Sequence, residues 1–548
     1  MKNIVPADYQ PALPSDRFLV REKPNSDAVP LDVLFVGAGP AGLAGAIELA
    51  HLCQKEAQTN PNFQKPEIGI LEKAQRLGDH CLSGAVVNPG PLKELFPDLD
   101  VKDFPFRRPV EKEAVYFLTE KSHWRLPTPP TMHNKGNYVA SLCEIVRWLG
   151  QKAEAAGVNI LTGFPAESLL IEDDQVLGVR TTPAGLDRDG KPSSRFMPPT
   201  DISARFTVLT EGTRGSLSQA YLKWQNLESP SPQIFALGVK EIWQVKKPLD
   251  RVIHTMGWPL PTDAFGGSFF YPMTNDQVSL GLVVGLDYKA HALDVHSLLQ
   301  KLKNHPLIRE HLEGGQIQEW GAKTIPEGGY DSFPKRLYGK GLLLAGDTAG
   351  FVNVPALKGI HYAMESGRLA ARTIFNALKN KSESLEEYQK LIDESFITSD
   401  LRRVRNMRHA FKSGFYWGGF KAALMTATCG AFPGGGDKSH SDAQEPRRLD
   451  DTPETTAAGP FSTSKVDGVF RAGNATRDDI PKHLVVGQDI SPEVAEFYEH
   501  VCPAGVYERK GDKLVVNAPN CVDCKATDVL GPRWTPREGG SGPKYQQM

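Results

Sequence analysis

The chain has 548 residues, 40% of them hydrophobic, and its 63 basic side chains nearly balance 65 acidic ones for a net charge of -2. A chain of this size can bury large cores and divides into roughly two to four domains. The balanced charge excludes the bulk basic field of a nucleic-acid-binding protein, and any attraction to anionic membranes has to be local. The opening MKNIVPADYQPALPSD has neither an apolar signal core nor an Arg-rich, acid-poor transit pattern, so an intracellular chain that starts here is expected. No run of about 18 apolar residues predicts a spanning helix, which leaves surface attachment as the form of membrane contact. Seven cysteines, an odd number without a secretory signal, point to thiol or metal chemistry over a disulfide framework.

In chain order, residues 1–29 are polar and Pro-rich and read as an arm without elements. Val33-Leu34-Phe35-Val36 then forms the continuous apolar run of a buried parallel strand. It meets Gly37-Ala38-Gly39-Pro40-Ala41-Gly42, and an Ala- and Leu-rich helix follows over 43–52. A second apolar run, 68–71, ends at Glu72, completing a dinucleotide-binding βαβ unit at the start of a domain spanning 30–235. Short β-like runs, among them 238–245, 267–271 and 278–284, predict a sheet-rich domain over 236–330. Gly341-Leu342-Leu343-Leu344-Ala345-Gly346-Asp347 and a helical pattern over 359–378 return the chain to the first domain at 331–385. Residues 386–433 read as helical, 434–462 have linker composition, and 463–548 form a small cysteine-bearing domain.

The phosphate site carries the clearest physics. Gly37 allows the tight turn, Gly39 lets backbone approach a pyrophosphate, Gly42 lets helix meet strand, and the helix N-terminus offers free N–H groups and positive dipole. Glu72 is expected to accept from the adenosine ribose. A strand ending in Gly346-Asp347 puts a carboxylate within reach of a ribityl hydroxyl, the pattern of FAD proteins of the glutathione-reductase and hydroxylase type; a helix N-cap is the alternative role for Asp347. FAD is therefore preferred over NAD, with Ala38, Pro40, Ala41 and Lys73 completing the expected contacts. No second GxGxxG turn follows a strand, so electrons enter by another route than a separate NAD(P)H domain.

The C-terminal domain offers that route. Cys502-Pro503 and Cys521-Val522-Asp523-Cys524 place three thiols in one short stretch, and thiolates ligate iron–sulfur clusters or zinc. The next step of the x2 spacing falls on Thr527, so beside an iron–sulfur cluster the alternatives are a cluster fold held by packing alone and zinc bound by these cysteines plus another residue. Cys53, Cys81, Cys143 and Cys429 stand apart in sequence and read as core thiols.

Taken together, GAGPAGL, LEKAQRLGDHCLSGAVVNPG, HNKGNYV, GWPL with FGGSFFY, GLVVGLDY, the EGG of 327–329, GFVNVPALKGIHYAMESG, CPAGVYE, NAPNCVDCK and EGGSGP resemble the electron-transfer-flavoprotein:ubiquinone oxidoreductases, in order from about residue 30 to the C-terminus. The resemblance implies an FAD domain with a parallel sheet, an interleaved β-rich quinone-binding domain and a small ferredoxin-like [4Fe–4S] domain. It implies FAD and the cluster as cofactors, reduced electron transfer flavoprotein as donor, and ubiquinone or another membrane quinone as acceptor. It implies peripheral attachment to one leaflet of an energy-transducing membrane; the lack of a transit pattern sets the expectation of the cytoplasmic face of a bacterial inner membrane, or a mitochondrial inner membrane for a processed chain. By motif, Gly266 and Gly267 correspond to the backbone pair beside the quinone carbonyl, where a β-bulge is the competing explanation. Cys502, Cys521 and Cys524 correspond to three cluster ligands, and Thr527 departs from the fourth.

Two further expectations concern the membrane and protons. Residues 402–421 combine Arg402, Arg403, Arg405, Arg408 and Lys412 with Phe411, Phe415, Tyr416, Trp417 and Phe420, a basic rim beside an aromatic stripe that fits an interfacial segment. A solvated basic helix packed by its aromatics is the other reading. His254 and His80 are candidate proton sources, with structural roles as the alternative. The rival functions are an FAD-dependent hydroxylase or prenyl reductase, and a cluster-less flavin-binding adaptor.

Overall fold

A computed structural model describes residues 3–411, 414–428, 430–431, 440–449 and 459–548. Its first sheet has a parallel core in the order Asn159–Thr162, Ile68–Glu72, Val29–Val36, Asp201–Leu209, Leu342–Leu344. The central stretches 33–36, 68–71, 206–209 and 342–344 are buried and mostly apolar, as a parallel sheet covered by helices requires. The helices Pro40–Thr59 and Ile360–Lys379 approach backbone to backbone, since a Cβ on Gly45 would lie 2.8 Å from the Gly367 carbonyl oxygen. An antiparallel ribbon, Ala166–Glu172 with Gln175–Thr181, extends the sheet from Asp201–Leu209.

The second sheet has seven strands in the order Gln316–Pro326, Phe235–Gln244, Gln277–Gly285, Gly266–Pro272, Val252–Gly257, Glu113–Leu118, His123–Leu126. All neighbours are antiparallel except Val252–Gly257 with Glu113–Leu118. The last two strands come from within 30–235, so the β-rich layer draws on more of the chain than its own composition shift indicates. The small C-terminal layer, with helices Lys465–Arg471 and Pro492–Val501 and the hairpin Tyr507–Lys510/Lys513–Val516, packs on this sheet. One continuous core joins the two: Trp320, Phe497, Tyr498 and Tyr545 are each at most 1% exposed within it.

The N-terminal segment differs from the arm read in the sequence. Leu19–Val20 pairs in parallel with Ala166–Glu172, Phe18 is fully buried, and Asn3–Ile4 pairs with Arg447–Arg448 inside the stretch read as linker. Prolines obscure these strands because each is only two residues long, and their partners lie far along the chain.

Candidate functional site

The phosphate turn is built by collisions that only glycine avoids. Gly37 has φ +110°, and a Cβ there would meet the Thr210 carbonyl oxygen at 2.5 Å. A Cβ on Gly42 would overlap the Gly37 carbonyl oxygen. Thr210, unremarked in the sequence, clasps the turn by donating from Oγ1 to the Gly37 carbonyl at 2.8 Å. A Cβ on Gly39 would instead meet nothing within 4 Å, so the space above the helix N-terminus is a cradle open for a ligand. Glu72 accepts from the Ala38 N–H at 3.0 Å and the Ala74 N–H at 2.8 Å, and each carboxylate oxygen keeps capacity for a hydroxyl donor.

Gly346 and Asp347 open a short turn after the strand Leu342–Leu344. The Gly346 N–H donates to Ser366 Oγ at 2.9 Å, while Asp347 faces a cavity of about 1240 Å³. Burial pushes the Asp347 carboxyl up to about 6, with the Lys323 ammonium pulling the other way. A carboxyl desolvated and unbonded among the described residues fits a ribityl hydroxyl. The same cavity runs from Gly39 and Pro40 past Asp347 to Gly266 and Gly267, and it reaches Ala423 and Thr426 of the helix Phe415–Ala427. It exceeds the roughly 300–1,000 Å³ of ordinary small-molecule sites, leaving room for a dinucleotide and a second ligand.

Gly266 and Gly267 line this cavity in a regular ladder, paired with Val284 and Val283, so they form no bulge. Their glycine character has a different cause: a Cβ on Gly267 would meet the Thr255 carbonyl oxygen at 2.5 Å, and one on Gly266 would overlap that of Val283. Beside them His254 Nε2 is 2.6 Å from the Tyr271 hydroxyl, and burial pushes this imidazole down to about 3. Burial also holds His80 well below its ordinary range, so both histidines are neutral at pH 7 and neither stores a proton. Lys358, missed in the sequence, faces the cavity with Nζ donating to Asn134 Oδ1 at 2.8 Å. Burial pushes its ammonium down to about 8, leaving it protonated at pH 7.

Lys73, expected among the flavin contacts, sends its side chain toward the C-terminal domain. Its ammonium lies 2.7 Å from Asp523 Oδ2, between the second and third thiols of the C-terminal domain. Asp523 also accepts from Trp534 Nε1 at 2.8 Å and Arg537 Nη2 at 2.9 Å. Burial alone would raise this carboxyl; the Arg537 and Lys73 cations hold it well below the usual carboxylate range.

The three thiols themselves are buried and unpaired by disulfides. Backbone N–H groups converge on them: Val506, Ala504 and Tyr507 on Cys502, Asp523 on Cys521, Ala526 on Cys524. Left-handed backbone at Asp523 (φ 54°) and Lys525 (φ 70°) turns the loop inward for this purpose. Burial pushes the Cys521 thiol up to about 12 and raises Cys502 and Cys524, so without metal they stay protonated. Zinc fits poorly. The metal-ligand set closing within 4.8 Å among the described residues is His483, Cys521 and Asp523, and Asp523 is already bonded to cations. Three thiols spaced wider than a single ion, each met by N–H donors, fit an iron–sulfur cluster. The fourth position is Thr527, 9% exposed.

The basic rim is only partly a surface feature. Arg402 and Arg403 are exposed, but Arg408 is buried, its Nε donating to Glu327 and its Nη2 to Asp287, each at 2.7 Å. Trp417 and Phe420 are 58% and 53% exposed and stack 5.3 Å apart. Lys412, Cys429 and the side chains of Phe415 and Tyr416 lie outside the described residues. Cys53 and Cys143 are core thiols, and the Cys143 Sγ donates to the Cys81 carbonyl at 3.1 Å.

A parallel sheet with an open phosphate cradle, a cavity carboxyl and an interleaved antiparallel sheet define an oxidoreductase of the FAD-dependent type. Among solved structures, a geranylgeranyl bacteriochlorophyll reductase-like protein from Thermoplasma acidophilum shares this fold, with TM-score 0.55, 20% identity, and 73% of this chain and 90% of that chain covered. The family model for ETF-QO, ubiquinone-binding, matches residues 235–325, and that for electron transfer flavoprotein-ubiquinone oxidoreductase, 4Fe-4S, matches residues 459–546. The mitochondrial electron transfer flavoprotein-ubiquinone oxidoreductase of Oryza sativa is 38% identical, covering 95% of this chain and 94% of its own. That of Homo sapiens is 37% identical, covering 94% and 89%. The chain belongs to the electron transfer flavoprotein-ubiquinone oxidoreductase family, as the motifs in its sequence imply.

Proposed function

We propose that this chain takes electrons from reduced electron transfer flavoprotein and passes them to ubiquinone held against Gly266 and Gly267. The observation that carries the reading is the single cavity joining the phosphate cradle at Gly39 to that glycine pair. Gly37 to Gly42, Glu72, Gly346 and Asp347 would hold FAD, and Cys502, Cys521 and Cys524 would hold an iron–sulfur cluster. Bound, these groups would supply one-electron acceptance and paired delivery, chemistry that belongs to the cofactors and not to a side-chain nucleophile. The protein's share is positioning. Gly266 and Gly267 leave the cavity wall without side chains, so a planar ring can lie on backbone. The neutral His254 and its Tyr271 partner keep that wall polar without charge, and Lys358 holds a proton at Nζ on the cavity surface.

The reading includes attachment to one face of an energy-transducing membrane, from which a lipid-soluble quinone enters. No helix among the described residues is long and apolar enough to cross a membrane. The exposed, stacked Trp417 and Phe420 sit on the helix whose Gly419, Ala423 and Thr426 reach the cavity, which supports an interfacial mouth at this helix. The test is anaerobic turnover of FAD-loaded protein with reduced electron transfer flavoprotein and a short-chain ubiquinone. Quinol formation independent of NAD(P)H is expected. Flavin that is reduced only by NAD(P)H would return the hydroxylase or prenyl-reductase reading, and flavin never reoxidised by quinone would sink the proposal.

A further inference from the structure

A four-iron cluster needs a donor at each corner, and three corners are accounted for by Cys502, Cys521 and Cys524. The fourth is decided by elimination among the groups around the thiols. Asp523 is committed to Lys73, Arg537 and Trp534. Asp528, next to Thr527, accepts from Arg214 Nε at 2.6 Å and from the Trp534 N–H at 3.0 Å. His483 has Nε2 3.2 Å from the Arg537 guanidinium, and although its Nδ1 is unpartnered, its ligand atom lies within 4.8 Å of that of Cys521, closer than the ligands of two separate cluster corners stand. Thr527 is different. It stands two residues beyond Cys524's following residue in the same spacing that separates Cys521 from Cys524, in the first turn of the helix Ala526–Leu530. It is buried at 9% exposure, yet its hydroxyl is bonded to no carboxylate or carbonyl among the described residues.

Tyr507 supplies the second observation. Its hydroxyl is buried with no hydrogen-bond partner among the described residues, although Thr527 lies beside it, and it sits in the field of all three thiols. A buried tyrosine hydroxyl left this way points into space that an acceptor is meant to occupy.

We propose that the fourth corner of the cluster is ligated by oxygen, through Thr527 Oγ1 with Tyr507 as its hydrogen-bond donor; this rests on the cluster assignment made above. On binding, the Thr527 O–H bond breaks, an iron–oxygen bond forms and the proton leaves to solvent, with no change in oxidation state. A hard alkoxide among soft thiolates makes one iron distinct from its neighbours and more readily exchanged.

The experiment is ⁵⁷Fe Mössbauer spectroscopy with an iron count on FAD-loaded protein, comparing wild type with Thr527→Cys, Thr527→Ser and Thr527→Ala. Wild type and Thr527→Ser are expected to hold four irons, with about one quarter of the absorption in a separate doublet of higher isomer shift. In Thr527→Cys that doublet should merge with the others, and Thr527→Ala should retain three irons. Unchanged spectra between wild type and Thr527→Cys, or three irons already in the wild type, would overturn oxygen ligation while leaving the cluster in place. FAD-loaded protein without iron would overturn the cluster itself. The flavin absorbance reports folding of each variant independently of iron.

Discussion

Arg408 ties the helical segment at the cavity mouth to the β-rich sheet, and replacing it with methionine tests how that mouth is held. The guanidinium is 4% exposed, and its partners Glu327 and Asp287 are 2% and 18% exposed. Removing one member of such a set strands buried carboxylates, for which about 3–5 kcal/mol is the usual cost. The anchor is local, so the loss should fall on the segment around Met407–Ala410 and Phe415–Ala427 and not on the whole fold. At 1.4 kcal/mol per tenfold, the amides there should exchange between about a hundredfold and a few thousandfold faster in Arg408→Met than in wild type. The pH dependence has a definite sign. Burial already raises the Glu327 carboxyl, and Arg408 opposes that rise. Without Arg408 the folded variant keeps Glu327 protonated at pH values where the unfolded chain, with its ordinary carboxyl near 4.3, has lost the proton. The variant's stability therefore falls as pH rises above that value, and its deficit against wild type is larger at pH 8 than at pH 5. Hydrogen exchange measured by mass spectrometry at both pH values reads this directly, with exposed Arg402→Met as a control expected to change stability by less than about 0.5 kcal/mol. Unaltered exchange in Arg408→Met, or a deficit that grows on the acid side, would refute the reasoning.

Three other outcomes follow from the cavity. Gly39→Val should leave the flavin-free protein folded, with a thermal midpoint near wild type, but abolish yellow flavin absorbance, because its side chain fills open space; Gly42→Ala should lose both, since its Cβ meets backbone. Asp347→Asn should weaken FAD binding by roughly tenfold to a hundredfold, the worth of a hydrogen bond to a charged group. Because the carboxylate is the better acceptor, wild-type FAD affinity should rise as pH passes upward through about 6, and titration calorimetry should find that rise missing in the asparagine variant. Gly267→Ala, whose Cβ meets the Thr255 carbonyl oxygen, should shift the cavity wall and slow quinone reduction at least tenfold, while a thermal midpoint and photochemical or dithionite flavin reduction near wild type show that the shift stays local; equal quinone kinetics would separate the glycine pair from the quinone.

How much of this was legible in the sequence depended on where each residue's partner lies. The turn from Gly37 to Gly42 was readable because its glycines answer collisions with one another and with one strand end, a pattern held within a few positions. That the next step of the thiol spacing falls on Thr527 was also visible from spacing alone. Lys73 was not: it follows Glu72 directly, and its partner Asp523 is 450 residues away. Arg408 looked like a surface charge because basic residues surround it, while the carboxylates that bury it come from 287 and 327. The strands Glu113–Leu118 and His123–Leu126 had an ordinary β pattern, but nothing in it could indicate which of two sheets they extend. Local sterics and spacing are written locally, whereas charge partners and sheet membership are properties of the assembled chain.

The bonds that cross to the thiol-bearing layer bear on how such a chain can be cut or recombined. Asp523 and Asp528 are buried anions whose countercharges, Lys73 and Arg214, belong to the sheet that begins the molecule, and Tyr545 fills a gap against Gly321 of the other sheet. A fragment cut at residue 459 and expressed alone would keep Arg537 beside Asp523 but lose Lys73 and Arg214, leaving its buried carboxylates with fewer countercharges, and would expose an apolar face made for a neighbour it no longer has. The layer has the appearance of a portable electron-transfer cassette, yet it is not interchangeable: grafting it onto another flavoprotein would require the host to supply a lysine and an arginine at matching places. Recombination within the family should therefore succeed when whole chains are exchanged, and fail at this junction.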